Sequence, residues 1–303
     1  MKKYFFLVAA AITLAACSND EKENAVKNEG LIRLTANIGA PMMTRTSFST
    51  SGSAQNTQFV ADKSIHVEAY LNGTSTPYSN GDYVTDGDGG MEGNLYYPGT
   101  LSTIDICAYY PNTVNYQTTS FPVATDQTTE AAYQASDLMY ATKLTNQVRT
   151  NSALPLTFNH AYSKVIVHLT CGGGVTNENL TNNVTAVKIN GTKVGGSFAI
   201  TNGAVGTITP TGNATDINIT GAGINVTSQA GIIVPQTVAA NTTFITVTYG
   251  GTDYTYALPE AKTFAPGYAY AYTLTLSTAG IELESEQITD WQAGTGDEPT
   301  LTL

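Results

Sequence analysis

The sequence Gly-Leu-Ile-Arg-Leu-Thr-Ala-Asn-Ile-Gly, residues 30–39, lies at the start of the folded part of the chain and sets its organisation. Its side chains alternate between apolar and polar, with the apolar ones at Ile32, Leu34, Ala36 and Ile38. A period of two is typical of a strand that buries one face and exposes the other. The stretch is therefore predicted to be the first strand of a β-sheet.

A single basic residue follows this strand in a region rich in Thr and Ser. The chain turns at Pro41, and Arg45 is the only Lys or Arg between Arg33 and Lys63. A basic residue in a polar surface loop is a natural site for a trypsin-like protease. We expect a cut between Arg45 and Thr46, which would detach the first strand and leave a hydrophobic slot in the domain.

The chain begins with a basic and then apolar stretch that has the features of a signal peptide, residues 1–17. Its end, Leu-Ala-Ala-Cys at residues 14–17, resembles the bacterial lipobox and implies lipidation of Cys17. An ordinary signal peptide with a chance cysteine is the alternative. Residues 18–29 are predicted to be a polar tether, so that the exported protein is held at the outer membrane by a lipid anchor.

The composition favours an all-β protein. Charged residues make up 12% of the chain, and many short alternating segments are separated by Gly and Asn turns. A change of pattern near residue 150 predicts an N-terminal domain over residues 30–150 and a C-terminal domain over 151–303. The net charge of −11 argues against a nucleic-acid partner.

Individual elements can be predicted in both halves. The segment from Glu130 to Ala135 has helical character, and Tyr268 to Leu276 has the clearest strand pattern in the chain. Hairpins are expected at Gly250-Gly251 and at Asn190-Gly191, the latter joining strands 185–189 and 196–200. The two cysteines after the signal peptide are expected to be buried free thiols rather than a disulfide, and they are Cys107 and Cys171.

The sequence predicts neither an enzyme nor a cofactor site. Its three histidines are scattered, and it contains no nucleophile, zinc-protease or phosphate-loop motif. The acidic stretch from Asp86 to Glu92 is too short for an EF-hand calcium loop and is better explained as the tip of a hairpin.

Four stretches in this order resemble the fimbrillin family, the subunits of type V pili. They are residues 136–141, 156–167, 264–276 and 288–294, and they begin Ser-Asp-Leu-Met, Leu-Thr-Phe-Asn, Phe-Ala-Pro-Gly and Ile-Thr-Asp-Trp. The resemblance implies two transthyretin-like Greek-key β-sandwich domains in tandem and export as a lipoprotein. It also implies removal of the first strand by an arginine-specific protease and polymerisation with other pilin subunits, in a homo- or heteropolymer, by strand exchange.

The strand donated to a neighbouring subunit is expected to be the C-terminal tail. A Gly-rich joint after Trp291 leads to the alternating residues Thr300, Leu301, Thr302 and Leu303. Two leucines replace three large side chains lost with the first strand, so residues 280–291 could be part of the donor as well. Alternatively, residues 280–303 simply complete the second domain.

Two other functions remain open at this point. A surface lipoprotein could bind glycans by stacking sugar rings on aromatic side chains. The candidates for this role are Tyr96, Tyr97, Tyr109, Tyr110 and Trp291. An adhesive tip subunit of the same pilus would combine both activities.

Overall fold

The protein is all-β apart from two short helices in the part of the chain that the structure describes. The structure is a computed structural model, and it describes residues 30–39, 59–99, 102–221, 223–225 and 228–291. The predicted fold class is confirmed at this level.

The first half contributes nine strands and one helix up to residue 160. They are β1 (Leu34–Ile38), β2 (Ser64–Leu71), β3 (Ser79–Thr85), β4 (Gly90–Glu92), β5 (Ile104–Tyr110), β6 (Ser120–Pro122), α1 (Glu130–Ala135), β7 (Met139–Ala141), β8 (Leu144–Gln147) and β9 (Leu154–His160).

Seven of these strands close into a barrel-like sheet. Their order is β2-β3-β4-β1-β9-β7-β5, and pairing between β2 and β5 closes the ring. Strand β8 pairs with the beginning of β5, at Ile104 and Ile106. The side chains that point into the ring form one hydrophobic cluster, which includes Ile65, Val67, Ile106 and Phe158. The first strand, β1, is therefore an interior member of this sheet and not an edge.

Strand β9 belongs to this first sheet, although it follows the predicted boundary between residues 150 and 151. It pairs in parallel with β1 and antiparallel with β7. The polar residues 148–153 connect β8 and β9 within the sheet. In the part of the chain that the structure describes, the change from the first sheet to the next lies between His160 and Ser163.

The second half contributes thirteen strands and one helix. They are β10 (Ser163–Cys171), α2 (Asn177–Asn183), β11 (Val184–Ser197), β12 (Ile200–Thr201), β13 (Ala204–Val205), β14 (Thr209–Asn218), β15 (Gly223–Asn225), β16 (Ser228–Ile233), β17 (Gln236–Val238), β18 (Thr243–Tyr249), β19 (Thr252–Ala257), β20 (Lys262–Phe264), β21 (Tyr268–Ser277) and β22 (Gly280–Asp290).

Two larger sheets of the second half share one core. One has the order β15-β16-β10-β21-β22, and the other has the order β14-β11-β18-β19 with β6 of the first half also paired to β11. Alternate side chains of β10, β11, β18 and β21 meet in a single hydrophobic cluster, as expected when two sheets each bury one face. The clear alternation from Tyr268 to Leu276 is confirmed as β21.

One predicted hairpin is confirmed and the other is wrong. Gly250 and Gly251 both have left-handed backbone conformations, with φ of 57° and 80°, and they join β18 to β19. At Asn190-Gly191, by contrast, β11 continues through as one strand with a shift of register, because Gly191 (φ 72°) forms a bulge. Neighbouring strands β14 and β18 hold β11 on both sides, so the Asn-Gly pair bends the strand instead of reversing it.

Candidate functional site: the first strand, its slot and the end of the last strand

The apolar side chains of the first strand are almost completely buried. Ile32, Leu34, Ala36 and Ile38 are between 1% and 3% exposed. Arg33 is exposed on the other face, and its guanidinium donates to the carbonyl of Asn151 at 3.2 Å. The predicted alternation is therefore confirmed, and all four side chains belong to the core of the barrel-like sheet.

One side of the slot is strand β9. It runs parallel to β1 from Leu34 opposite Leu154 to Ile38 opposite Phe158. Two further hydrogen bonds extend the pairing at both ends: the N–H of Leu154 donates to the carbonyl of Arg33 at 2.8 Å, and the N–H of Gly39 to that of Phe158 at 2.9 Å.

The other side of the slot is formed by β4 and the residues directly before and after it. The N–H of Ala36 donates to the carbonyl of Gly89 at 2.9 Å, and the N–H of Ile32 to that of Leu95 at 2.8 Å. The N–H of Tyr97 donates to the carbonyl of Gly30 at 2.7 Å. Because the first strand is bonded on both sides, its removal would expose two rows of backbone groups.

A tyrosine of β3 donates a hydrogen bond to the first strand from inside the barrel-like sheet. The hydroxyl of Tyr83 donates to the carbonyl of Ile32 at 2.7 Å, and the side chain is fully buried. Burial raises the pKa of Tyr83 to about 12, so its hydroxyl remains a donor at neutral pH. The ring lies directly over Gly93, where a Cβ atom would be 2.4 Å from ring carbons.

Aromatic packing closes the end of the slot near Ile38. Phe59 is buried and makes edge-to-face contacts with Phe158 and Tyr110, at centroid distances of 5.0 and 5.4 Å. These rings line the core that Ile38 completes. A slot without its strand would therefore expose aromatic as well as aliphatic surface.

The last strand, β22, is bonded differently. It pairs with β21 along its whole length and lies at the edge of its sheet. Its apolar side chains Leu283 and Ile288 are 37% and 49% exposed, and its glutamates face solvent. Residues 280–290 therefore belong to a sheet of the second half, and a role of residues 280–291 in the donor stays a prediction.

Trp291 ends the described chain in a buried position between the two halves. It is 1% exposed, and its backbone N–H donates to the carbonyl of Gly267 at 2.7 Å. Its indole stacks on the imidazole of His160, the last residue of β9, with a centroid distance of 3.7 Å and an interplanar angle of 9°. A donor segment can therefore begin only after residue 291 unless this packing is broken.

Several predicted site residues lie outside the described residues. These are the lipidation residue Cys17, the cleavage residues Arg45 and Thr46, and the tail residues Thr300, Leu301, Thr302 and Leu303. For all of them, the assigned roles stay predictions.

Most of the aromatic side chains considered for glycan stacking are not accessible. Tyr97, Tyr109, Tyr110 and Trp291 are between 0% and 7% exposed, so the expectation that they stack on sugar rings is wrong. Tyr96 is 49% exposed and is the one member of the set that could contact a ligand. A single ring does not make a sugar platform.

The polar clusters of the sequence have structural roles. The carboxylate of Asp86 accepts hydrogen bonds from the N–H groups of Asp88 and Gly90 at 2.8 and 2.9 Å, as expected for a hairpin tip.

Cys107 and Cys171 are both free thiols. Cys107 is buried, and burial raises its pKa to about 12, whereas Cys171 is partly exposed. Within the described ranges, no group of three or more His, Cys, Asp or Glu side chains is arranged so that it could hold a metal ion.

Two contacts of this site could not be found from sequence patterns. Tyr83 and Ile32 are distant in the chain, as are His160 and Trp291, and neither pair belongs to a motif. The only available signals were a tyrosine at an inward position of a strand and a lone tryptophan at the end of the last strand.

Comparisons with known proteins identify the family. A family model described as fimbrillin-like matches residues 44–291. A curated protein named "Putative fimbrium subunit Fim1C", from Bacteroides uniformis, is 26% identical over 99% of this chain and 99% of its own length. Among solved structures, putative cell adhesion proteins of Bacteroides uniformis and Bacteroides ovatus share the fold. Their TM-scores are 0.64 and 0.60, and their sequence identities are 24% and 20%. Each match covers 86% of this chain, and the matches cover 98% and 97% of the two solved chains. The family match covers most of the sequence, and the chain belongs to the fimbrillin-like family.

Proposed function

We propose that this protein is a structural subunit of a cell-surface fimbria, activated by a cut after Arg45 and polymerised by strand exchange. The precursor is exported as a lipoprotein through Cys17 and held at the outer membrane. An arginine-specific protease then releases the first strand, and the C-terminal tail of another subunit enters the slot. Transthyretin-like topology of the two halves is part of the same proposal.

The observation that carries the proposal is the way in which β1 is held. An interior strand contributes about 1.5–3 kcal/mol for each large buried side chain, here Ile32, Leu34 and Ile38. Its loss would also leave unpaired backbone groups on β9 and along residues 89–97. Such a slot favours capture of another strand, which is β-augmentation.

The limits of the family match support the same division of the chain. The matched region, residues 44–291, begins just before Arg45 and ends at Trp291. It leaves out the first strand and the tail, the two segments that strand exchange would replace and donate. Residues 292–303 could span at most about 40 Å when extended, which is longer than the stretch from Gly30 to Gly39 that they would replace.

Lipid anchoring accounts for attachment of the precursor to a membrane. Within the described part of the chain, no helix combines the length and apolarity needed to cross a bilayer. The lipobox-like end of the signal peptide supplies a different means of attachment, since a thioether-linked lipid at Cys17 would hold the chain through residues 18–29.

The test is limited digestion of protein starting at Ser18 with an arginine-specific protease. Intact mass would follow the cut, and negative-stain microscopy with sizing at several concentrations would follow assembly. We expect one early cut between Arg45 and Thr46, release of the first strand, and concentration-dependent oligomers. A cut chain that remains a stable monomer would contradict strand exchange.

Two matched variants separate cleavage from the donor step. Arg45→Ala should remain a folded monomer in the presence of protease. A chain ending at Gln292 should be cut normally but should not form fibres, because it has a slot and no donor. Undiminished fibres from either variant would refute the corresponding step.

A further inference from the structure

The end of the last strand and the slot are connected through β9. This strand pairs with β1 as far as Phe158, and two residues later the side chain of His160 stacks on Trp291. Both side chains of the stack are no more than 1% exposed. One strand therefore contacts both the first strand and Trp291, the residue before the proposed donor segment.

The imidazole of His160 has a fixed position. Its Nδ1 lies 2.8 Å from a carboxylate oxygen of Asp137, and both side chains are fully buried. The backbone is held as well, because the N–H of Ala161 donates to the carbonyl of Leu138 at 2.8 Å. Trp291 thus packs on a ring whose orientation depends on β9 and on residues 137–138, just before β7.

Backbone hydrogen bonds also connect the end of β9 to the first strand and to Trp291. The N–H of Gly39 donates to Phe158, the N–H of Gly267 to Tyr162, and the N–H of Trp291 to Gly267, at 2.9, 2.9 and 2.7 Å. Both the end of the first strand and Trp291 are therefore fastened within a few residues of the end of β9. A shift of β9 would alter both attachments.

Removing Trp291 from this position would lower the stability of the protein. Its departure would expose the buried Asp137–His160 pair to water and leave a cavity of aromatic size. It would also separate the indole from Lys164, whose Nζ lies 5.9 Å from the ring centroid. The packing of Trp291 therefore has two distinct states, packed and separated. An element that couples two sites must have two such states.

We propose that the stack of Trp291 on His160 couples the first strand to Trp291, the residue from which the C-terminal tail continues. Each of the two then stabilises the other. The role of the stack in assembly rests on the proposed function: while β1 fills the slot, Trp291 stays packed on His160, and release of β1 loosens this packing. Coupling is reciprocal, so loss of Trp291 must in turn loosen β1.

The reciprocal effect can be measured without any protease. Hydrogen exchange of residues 30–39 would be compared in uncut chains that start at Ser18 and carry Arg45→Ala, with and without Trp291→Ala. We expect exchange in these residues to accelerate at least about fivefold in the Trp291→Ala chain. Unchanged exchange would overturn the proposal.

A matched control distinguishes coupling from general destabilisation. Phe244 is fully buried in the same cluster as Trp291 and packs on Phe264 and Tyr272. Phe244→Ala should lower global stability without a selective effect on residues 30–39, and equal acceleration by both variants would refute the coupling. If Trp291→Ala does not fold, Trp291→Phe retains a ring at this position and should give a smaller acceleration of the same residues; none would count against the proposal.

Trp291 also reports the forward effect, since it is the only tryptophan of the chain. After cleavage at Arg45 its emission should shift to longer wavelength and its quenching by acrylamide should increase. An unchanged signal in a chain that has lost β1 would refute the coupling. If the protease does not cut at Arg45, the proposed activation fails, while the exchange experiment still decides the coupling.

Discussion

The first and last strands of the described chain are held in opposite ways. β1 is five residues long, lies between two neighbours and buries its apolar side chains almost completely. β22 is eleven residues long, lies at an edge and leaves Leu283 and Ile288 more than one third exposed. The short strand therefore contributes more to its core than the long one. This difference explains why the proposed removal of the first strand would leave a slot between two neighbours, whereas β22 has a neighbour on one side only.

The largest expected effect tests this difference directly. Leu34→Ala removes side-chain atoms from a site that is 2% exposed and should lower the free energy of unfolding by about 2–5 kcal/mol. Leu283→Ala makes the same chemical change at a site 37% exposed and should cost less than about 1 kcal/mol. Urea unfolding of both variants measures the contrast. Equal losses would mean that the two strands are equally important for stability.

A second prediction concerns the side of the barrel away from the slot. Asp105 accepts hydrogen bonds from Lys143 Nζ and the Asn146 N–H, each at 2.9 Å. Burial opposes ionisation of this carboxyl, but these two donors hold its pKa below the usual value. Asp105→Asn should cost about 1.5–3 kcal/mol at pH 7, since it removes a charged hydrogen-bond partner of Lys143.

The pH dependence of this contribution follows from the lowered pKa. A group with a depressed native pKa stabilises the fold above its unfolded pKa, about 3.9, and this contribution is lost as the pH falls through the native pKa. The difference in stability between the parent chain and Asp105→Asn should therefore shrink below about pH 4. A difference that grows in acid would contradict the assignment. Exchange of residues 30–39 relative to the global rate should stay unchanged, because the hydrogen-bond partners of Asp105, Lys143 and Asn146, do not belong to β1, β4 or β9.

A third prediction concerns the packing behind β1. Gly93→Ala would place a Cβ atom 2.4 Å from the ring of Tyr83 and should cost about 1–3 kcal/mol, because the ring has to move. Gly99 has nothing within 4 Å of an added Cβ and provides the control. Thermal unfolding of Gly93→Ala and Gly99→Ala compares the two. A neutral Gly93→Ala would show that the Tyr83 ring can shift without disturbing the first strand.

Sequence patterns predicted the strands with a clear alternation, but they did not predict the long-range contacts. The alternation of Ile32, Leu34, Ala36 and Ile38 predicted a buried strand because period-two burial is a local property. Ring closure between β2 and β5 and the inclusion of β9 in the first sheet depend on pairing between distant segments. The polar residues before Leu154 therefore resembled a linker between domains, although they join two strands of one sheet. Similarly, Asn190-Gly191 has the composition of a turn, and only the strands on both sides of β11 make it a bulge.

The smallest expected effect isolates one hydrogen bond to the first strand. Tyr83→Phe keeps the ring over Gly93 but removes the hydroxyl that donates to the buried carbonyl of Ile32, so it should cost about 0.5–1.5 kcal/mol. Tyr78→Phe is the matched control, because the hydroxyl of Tyr78 also donates to a backbone carbonyl, that of Tyr96 at 2.9 Å, but at the surface, where water can replace it. Exchange of residues 30–39 should accelerate in Tyr83→Phe and not in Tyr78→Phe.

The pH dependence gives a second test of this hydrogen bond. Since burial raises the pKa of Tyr83 to about 12, its contribution to stability is complete below the unfolded pKa of about 10 and is lost as the pH rises through 12. The stability difference between parent and Tyr83→Phe should therefore be constant from neutral pH to about pH 10 and decrease above it, and a decrease that begins near neutral pH would exclude Tyr83 as the donor that holds the strand in its slot.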